Sequence, residues 1–140
     1  MGDLSCHFDK KEFQCPCCGK VIIKQKLIDK LEAIRNNINI PVIITSGYRC
    51  PKYNALIGGY RNSPHLTGDG ADCKSSLSPI DFALKAEMFK DIRIGIYPKH
   101  THIDIRPARP SRFWYVAKYG SQAIYSREEK DLNKFIEKVR

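Results

Sequence analysis

The chain has 140 residues, of which 42% are hydrophobic, so it is the size of one globular domain with room for a buried core. Lys and Arg total 24 against 15 Asp and Glu, and the formal charge of +9 favours anionic partners such as nucleic acid, a membrane surface or acidic wall polymers. The basic residues are scattered through the chain, which argues against specific nucleic-acid binding. No run of about eighteen apolar residues predicts a membrane span.

The first regular element is an amphipathic helix over about residues 25–36. Pro41 closes this segment, and residues 42–44 then predict a buried strand that runs into a turn at Ser46 and Gly47. The helix is predicted from apolar residues at helical spacing, namely Leu27, Ile28, Leu31 and Ile34.

A second helix and a hairpin follow in the middle of the chain. Ser78, Pro79 and Asp81 form a start signal for a helix that reaches about residue 89. Residues 93–97 and 100–106 alternate apolar with other side chains on either side of a turn, which is typical of a β-hairpin.

The C-terminal part of the chain predicts a last helix. Ser126 and Glu129 suit a capping box ahead of it, and its inner face would carry Leu132, Phe135, Ile136 and Val139. The neighbouring aromatic residues Phe113, Trp114 and Tyr115 are expected to pack in the core rather than to stack on bases. The elements together predict an α+β fold, with helices at both ends covering one face of a small, mainly antiparallel sheet.

The predicted strand over residues 100–106 carries an unusual polar face. A two-residue period puts His100, His102 and Asp104 on one side and Ile103 and Ile105 on the other. An exposed polar face is the simple interpretation. A metal site is the alternative, because metal ligands need a stiff element to hold them.

The glycine-rich segment ahead of this strand offers a further histidine and carboxylate. His65 and Asp72 with His102 make two imidazoles and one carboxylate, a normal three-ligand set for catalytic zinc with water in the fourth position. Gly68 and Gly70 would let the backbone turn sharply enough to aim both side chains inward.

These residues resemble a known family. The pattern His65-x-x-Gly68-x-x-x-Asp72, followed by a histidine in the Thr-His-Ile-Asp strand, is similar to the M15 zinc peptidases, which include D-Ala-D-Ala carboxypeptidases and L-Ala-D-Glu endopeptidases. The resemblance implies one zinc ion on His65, Asp72 and His102. It also implies that Arg49, which follows Ile-Thr-Ser-Gly-Tyr and precedes Asn54, binds the substrate or the developing oxyanion.

The resemblance covers residues 8–106 of a single domain over residues 1–140, and it leaves residues 111–140 as a C-terminal helical extension. It implies the compact fold shared with the hedgehog signalling domain, and peptidoglycan stem peptides with D-amino acids as substrates. We see no secretion signal in residues 1–14, and the residues do not determine the localisation. One hypothesis is a cytoplasmic or phage-encoded protein that reaches the wall by another route. Nothing in the sequence demands more than a monomer.

Two positions depart from the family pattern. Gly70 stands where members often have alanine, a small change that should be tolerated. Lys99 stands where many members carry an acidic general base three residues before the last zinc histidine, and a lysine cannot activate water as a carboxylate would. His100 and Asp104 are the candidates for the base, and either could instead orient a zinc histidine. Ser63 could bind substrate, although a turn or capping serine is the simpler interpretation.

Six cysteines are many for a short chain: Cys6, Cys15, Cys17, Cys18, Cys50 and Cys73. The run Cys15-Pro16-Cys17-Cys18-Gly19-Lys20 resembles one knuckle of a zinc ribbon, but a second pair is missing. We therefore do not expect a second, structural zinc ion on the cysteines. We expect the cysteines to be buried or linked by disulfides.

Three classes of function fit the sequence. The first is a zinc peptidase of peptidoglycan, and the second is a non-catalytic, zinc-dependent wall or protein binding module on the same fold, which Lys99 favours. The third is a basic nucleic-acid binder of the zinc-ribbon type, which would hold zinc on cysteines and bind in a salt-sensitive way.

Overall fold

A mixed sheet forms the centre of the molecule in the computed structural model, which describes residues 2–108, 111–127 and 129–140. Within these residues the sheet has six strands in the order β1-β2-β4-β3-β5-β6, and every neighbouring pair is antiparallel except β3 with β5. The strands are β1 Ile43–Ser46, β2 Gly70–Lys74, β3 Arg93–Ile96, β4 Thr101–Asp104, β5 Phe113–Tyr115 and β6 Ile124–Tyr125.

Helices accompany the sheet, and three of them pack on its apolar face. In the described residues they are α1 Gln25–Ile38, α2 Pro51–Leu56, α3 Pro79–Ala86 and α4 Leu132–Val139, with short 3₁₀ turns at Lys10–Phe13 and Pro64–Leu66. Across the same part of the chain, no helix combines the length and the apolar character needed to cross a bilayer. The predicted α+β class is confirmed.

The two faces of the sheet differ because side chains alternate along each strand. One face is apolar and packs with α1, α3 and α4 in the main core, which includes Ala71, Cys73, Ile94, Ile96, Ile103 and Phe113. The residues between them, Asp72, Gly95, His102 and Trp114, alternate with these and belong to the opposite face. The polar face is therefore left free to line a site.

Several predicted elements are confirmed. The helix expected over residues 25–36 is α1, whose buried side chains are those predicted from the spacing. The Ser78 side chain accepts a hydrogen bond from the Asp81 N–H at 3.1 Å and caps α3, although this helix already ends at Ala86. The hairpin is formed by β3 and β4.

Other expectations are wrong. The strand at residues 42–44 is not fully buried, because β1 lies at the edge of the sheet and Ile43 is 51% exposed. Ser126 and Glu129 do not cap the last helix: Asp131 does, accepting from the Lys134 N–H at 3.2 Å, while the Ser126 hydroxyl accepts from the Phe113 N–H. Residues 111–140 are not only helical, since they begin with β5 and β6.

Candidate metal centre

Strand pairing brings the site residues into one row across the sheet. Asp72 on β2 lies directly opposite His102 on β4, which in turn lies opposite Gly95 on β3 and, through it, Trp114 on β5. Neighbouring residues of such a row are in side-chain contact. The antiparallel register therefore places a carboxylate from residue 72 against an imidazole thirty positions later in the chain.

A glycine makes room for the aromatic end of this row. A Cβ on Gly95 would lie 2.3 Å from the Trp114 ring, so only glycine lets the indole cross this strand. The indole lies beside His102, with ring centroids 5.3 Å apart, and its Nε1 donates to the Tyr97 hydroxyl at 3.0 Å. Trp114 thereby covers one side of the His102 imidazole.

The three residues predicted as metal ligands converge. His65 stands in the Pro64–Leu66 turn, and its Nε2 is 3.3 Å from Oδ1 of Asp72, while Nδ1 of His102 is 2.8 Å from the same oxygen. One ligand atom from each of the three residues lies within 4.8 Å of the other two. All three side chains are buried, as expected for ligands on stiff elements.

His65 and His102 each have a second ring nitrogen that points away from the three-residue cluster, and an acceptor lies beside each of these nitrogens. Nδ1 of His65 lies 2.8 Å from the Gly47 carbonyl oxygen, which can only accept, so this nitrogen donates. Nε2 of His102 lies 2.8 Å from Oδ2 of Asp104. Proteins commonly fix metal-binding histidines in this way, because the partner selects the tautomer whose other nitrogen is free. The donor set therefore fits zinc: two oriented imidazoles and a carboxylate.

The charges of the group are strongly coupled. Burial works to raise the pKa of Asp72, but His65 and His102 outweigh it and hold that pKa well below its ordinary value. Burial works to lower the pKa of His102, but hydrogen bonds to Asp104 and Asp72 raise it to about 9. Asp72 is thus ionised, and a cation at this point would replace a proton on His102.

Asp104 lies behind His102 rather than beside the cluster. It is fully buried, its Oδ1 accepts from the Arg106 N–H at 3.1 Å, and its Oδ2 is 3.9 Å from Nη1 of Arg93. These contacts favour a role for Asp104 in orienting His102 over a role as the general base.

His100 reaches the cluster from the end of the hairpin, just ahead of β4. Its Nε2 is 3.6 Å from Oδ2 of Asp72, and its Nδ1 is 2.9 Å from the Tyr119 hydroxyl. Stacking on Tyr97, with centroids 4.3 Å apart, holds the ring in place. Burial lowers the pKa of His100, so its imidazole is neutral at neutral pH. Lys99 is exposed and does not line the cleft.

Arg49 extends along the other side of Asp72. Its Nη2 donates to Oδ2 of Asp72 at 3.1 Å, and its remaining nitrogens reach Ser46 Oγ and Asn54 Oδ1 at 3.1 and 3.3 Å. Ser63 accepts from the His65 N–H at 3.2 Å, which is the predicted capping role. Gly68 has a φ of +75° and allows the turn that follows His65, whereas Gly70 lies within β2.

An open cleft of about 680 Å³ lies above the cluster. Part of its lining was not predicted from the sequence, namely Arg93, Arg106, Tyr97, Trp114, Tyr119 and Tyr125. A signal existed for two of them: Arg93 and Trp114 alternate with core residues of β3 and β5, so the two-residue period puts both on the polar face. Because Trp114 is only 7% exposed and Phe113 is in the core, neither is free to stack on bases.

The family model described as Peptidase M15 matches residues 5–104, a stretch that contains the whole of β1 to β4 and the three clustered residues. No curated protein matches the chain.

Proposed function

The chain belongs to the M15 peptidase family, and we propose that it is a zinc-dependent peptidase that cleaves peptide bonds in peptidoglycan stem peptides. The convergence of His65, Asp72 and His102 on the floor of an open cleft carries the proposal. A purely structural cluster would have no need of a cleft large enough for a peptide.

Zinc on these three residues, when bound, supplies a Lewis acid that polarises a peptide carbonyl and lowers the pKa of water towards about 7. The protein contributes the orientation of the ligands: the Gly47 carbonyl holds His65, and Asp104 holds His102. Asp104 is therefore a positioning residue in this proposal. The ligand side chains are largely buried, so the surrounding packing holds them in place.

His100 is the group best placed to accept and return a proton. Among the described residues that line the cleft, the only carboxylates are Asp72 and Asp104, and both are engaged with histidines. His100 faces the cleft beside Asp72, and Tyr119 and Tyr97 fix its orientation. An imidazole can act as a general base where the family usually has a carboxylate.

Three arginines favour an anionic substrate. Arg49, Arg93 and Arg106 line the cleft. Stem peptides of peptidoglycan carry several free carboxylates, which guanidinium groups bind well. Arg49 adjoins Asp72 and can stabilise either a substrate carboxylate or the negative charge that develops on a peptide oxygen.

Mass spectrometry of peptidoglycan and defined stem peptides, after incubation with zinc-loaded protein, tests the proposal. We expect new fragments that disappear with a chelator and in His65→Ala and His102→Ala variants. The masses of the fragments identify carboxypeptidase or endopeptidase action. Absence of any cleavage by zinc-loaded protein would refute the peptidase.

A binding module on the same fold is the second candidate. Lys99 favours it, because this residue replaces the acidic base and is exposed outside the cleft. This candidate predicts zinc bound by the same three residues, zinc-dependent retention on peptidoglycan, and no fragments. Zinc content and sedimentation with peptidoglycan, measured on the same samples, separate the two functions.

A further inference from the structure

A second group of metal-binding side chains lies outside the cleft. Cys15 and Cys18 belong to the segment that precedes α1, whereas Cys50 immediately precedes α2. Their sulfur atoms nevertheless all lie within 4.8 Å of one another. All three are free thiols in the structure. The fold has thus brought together thiols that are 32 or more positions apart in the chain.

The first two sulfurs are held by a tight turn. The Cys15 N–H donates to the Lys20 carbonyl at 2.9 Å, and the Gly19 N–H donates to the Cys15 carbonyl at 2.9 Å. Gly19 has a φ of +73°, which suits glycine at this point. A Cys-x-x-Cys turn closed by such hydrogen bonds directs both sulfurs to the same side, as structural zinc sites require.

Backbone N–H groups point at the sulfurs. The Cys50 N–H donates to Cys15 Sγ at 3.4 Å, and the Tyr53 N–H donates to Cys50 Sγ at 3.4 Å. Hydrogen bonds of this kind stabilise the thiolate, which is the form that binds a metal.

We propose that Cys15, Cys18 and Cys50 bind a structural zinc ion and that Cys17 is its fourth ligand. Cys17 belongs to the same turn, but it is exposed and stands outside the group of three sulfurs, so its side chain must turn inward to complete the site. Lys52, two positions after Cys50, would offset the negative charge of four thiolates. Thiolate ligands in this number select zinc among the common divalent ions. A single disulfide would use two of the three converging thiols and leave the third unpaired beside it.

From the sequence no second zinc was expected, because a second cysteine pair is missing and a four-cysteine site would need ligands from separate parts of the fold. The fold brings Cys50 from another segment to the knuckle, and Cys17 from within the knuckle would be the fourth ligand. This inference does not depend on the proposed peptidase activity, because the two groups of ligands share no residue.

The position of the thiols gives the ion a structural role. Cys50 follows Arg49, whose N–H donates to the His65 carbonyl at 3.1 Å, and the preceding Tyr48 N–H donates to the Phe13 carbonyl at 2.8 Å. A metal that joins Cys50 to Cys15 and Cys18 would clamp the N-terminal segment to the loop that carries Arg49. Its loss should loosen that loop.

Metal analysis of protein purified under reducing conditions tests the proposal. We expect two zinc ions per wild-type chain, one in Cys18→Ser or Cys50→Ser, and two in Cys6→Ser, a control because Cys6 is exposed and outside the group. A His65→Ala, His102→Ala double variant should keep one zinc. After cobalt substitution, that double variant should show the charge-transfer bands of four thiolate ligands. Adding Cys17→Ser should reduce the intensity of these bands to that of three thiolate ligands.

Several results would overturn the proposal. If the His65→Ala, His102→Ala double variant contains no metal, the proposal is wrong whatever the activity of the wild type. Iron in place of zinc would also overturn it. A disulfide within the group, shown by a mass lower by two hydrogens and located by peptide mapping, would also refute it. An unchanged cobalt spectrum in Cys17→Ser would remove Cys17 as the fourth ligand. If the cysteine variants fail to fold, the double variant alone decides, because its thiols are intact.

Discussion

Nε2 of His102 lies 2.8 Å from Oδ2 of Asp104, while Nδ1 of the same ring lies 2.8 Å from Oδ1 of Asp72. One imidazole is thus held between two carboxylates. Asp72 faces the cluster with His65, whereas Asp104 is fully buried behind the ring. The two carboxylates therefore have different tasks, and substitution should separate them.

Asp104→Asn keeps the shape of the side chain and removes its charge. We expect zinc affinity to fall by about 10–100-fold, because the partner of a metal-binding histidine sets its orientation and basicity. Activity should fall at limiting zinc and recover when zinc is saturating. Titration with a zinc chelator, alongside activity assays at two zinc concentrations, measures both effects. Activity that stays low at saturating zinc would instead make Asp104 the general base.

His100→Gln tests the proton acceptor. We expect kcat to fall by about 10²–10⁴-fold, which is the usual contribution of general acid–base catalysis. Zinc content should not change, since His100 is outside the three-ligand group. Tyr119→Phe removes the hydroxyl beside Nδ1 of His100 and should reduce kcat less. Equal activity of His100→Gln and wild-type protein would exclude His100 from the reaction.

Gly95→Ala tests the row across the sheet. The added Cβ would lie 2.3 Å from the Trp114 ring, so the indole must move. We expect a loss of roughly 1–3 kcal/mol in the free energy of unfolding, typical of overpacking. Trp114 is the only tryptophan of the chain, so its fluorescence emission reports the displacement directly. Unchanged emission and stability would contradict the close approach of these two residues.

Glu32 should make the stability depend on pH. It accepts from Ser5 Oγ at 2.6 Å and from the His7 N–H at 2.8 Å, which ties the N-terminal segment to α1. Burial works to raise the pKa of Glu32, but the hydrogen bonds from Ser5 and His7 lower it. Because the folded-state pKa is lowered, this stabilisation is present above the ordinary glutamate pKa and is lost as the pH falls through the folded-state value.

The variant Glu32→Gln checks this dependence. At pH 7 it should be less stable than wild type by about 1–3 kcal/mol, and the difference should close as the pH falls below about 4. Thermal unfolding of both proteins across this range measures the difference. Glu137→Gln, on an exposed position of α4, is the control and should match wild type throughout. A difference that does not vary with pH would point to lost packing instead.

Local patterns in the sequence were enough to predict α1, the Ser78 cap of α3 and the β3–β4 hairpin. Each depends on residues close together in the chain, whose spacing and capping preferences act before any long-range contact forms. The same locality explains the wrong capping box at Ser126. The Ser126 hydroxyl instead accepts a hydrogen bond from the N–H of Phe113, thirteen positions earlier. A local pattern cannot predict that partner.

The sequence by itself determined which chemistry is present: the histidines, carboxylates and arginine of the cleft, and a cysteine knuckle. Tertiary structure alone decided which of them meet. The register of β2 against β4 pairs Asp72 with His102, and the approach of Cys50 to Cys15 joins two distant segments. Such contacts depend on strand pairing and on packing of the whole core, since closing a long loop is favourable only when many contacts form together.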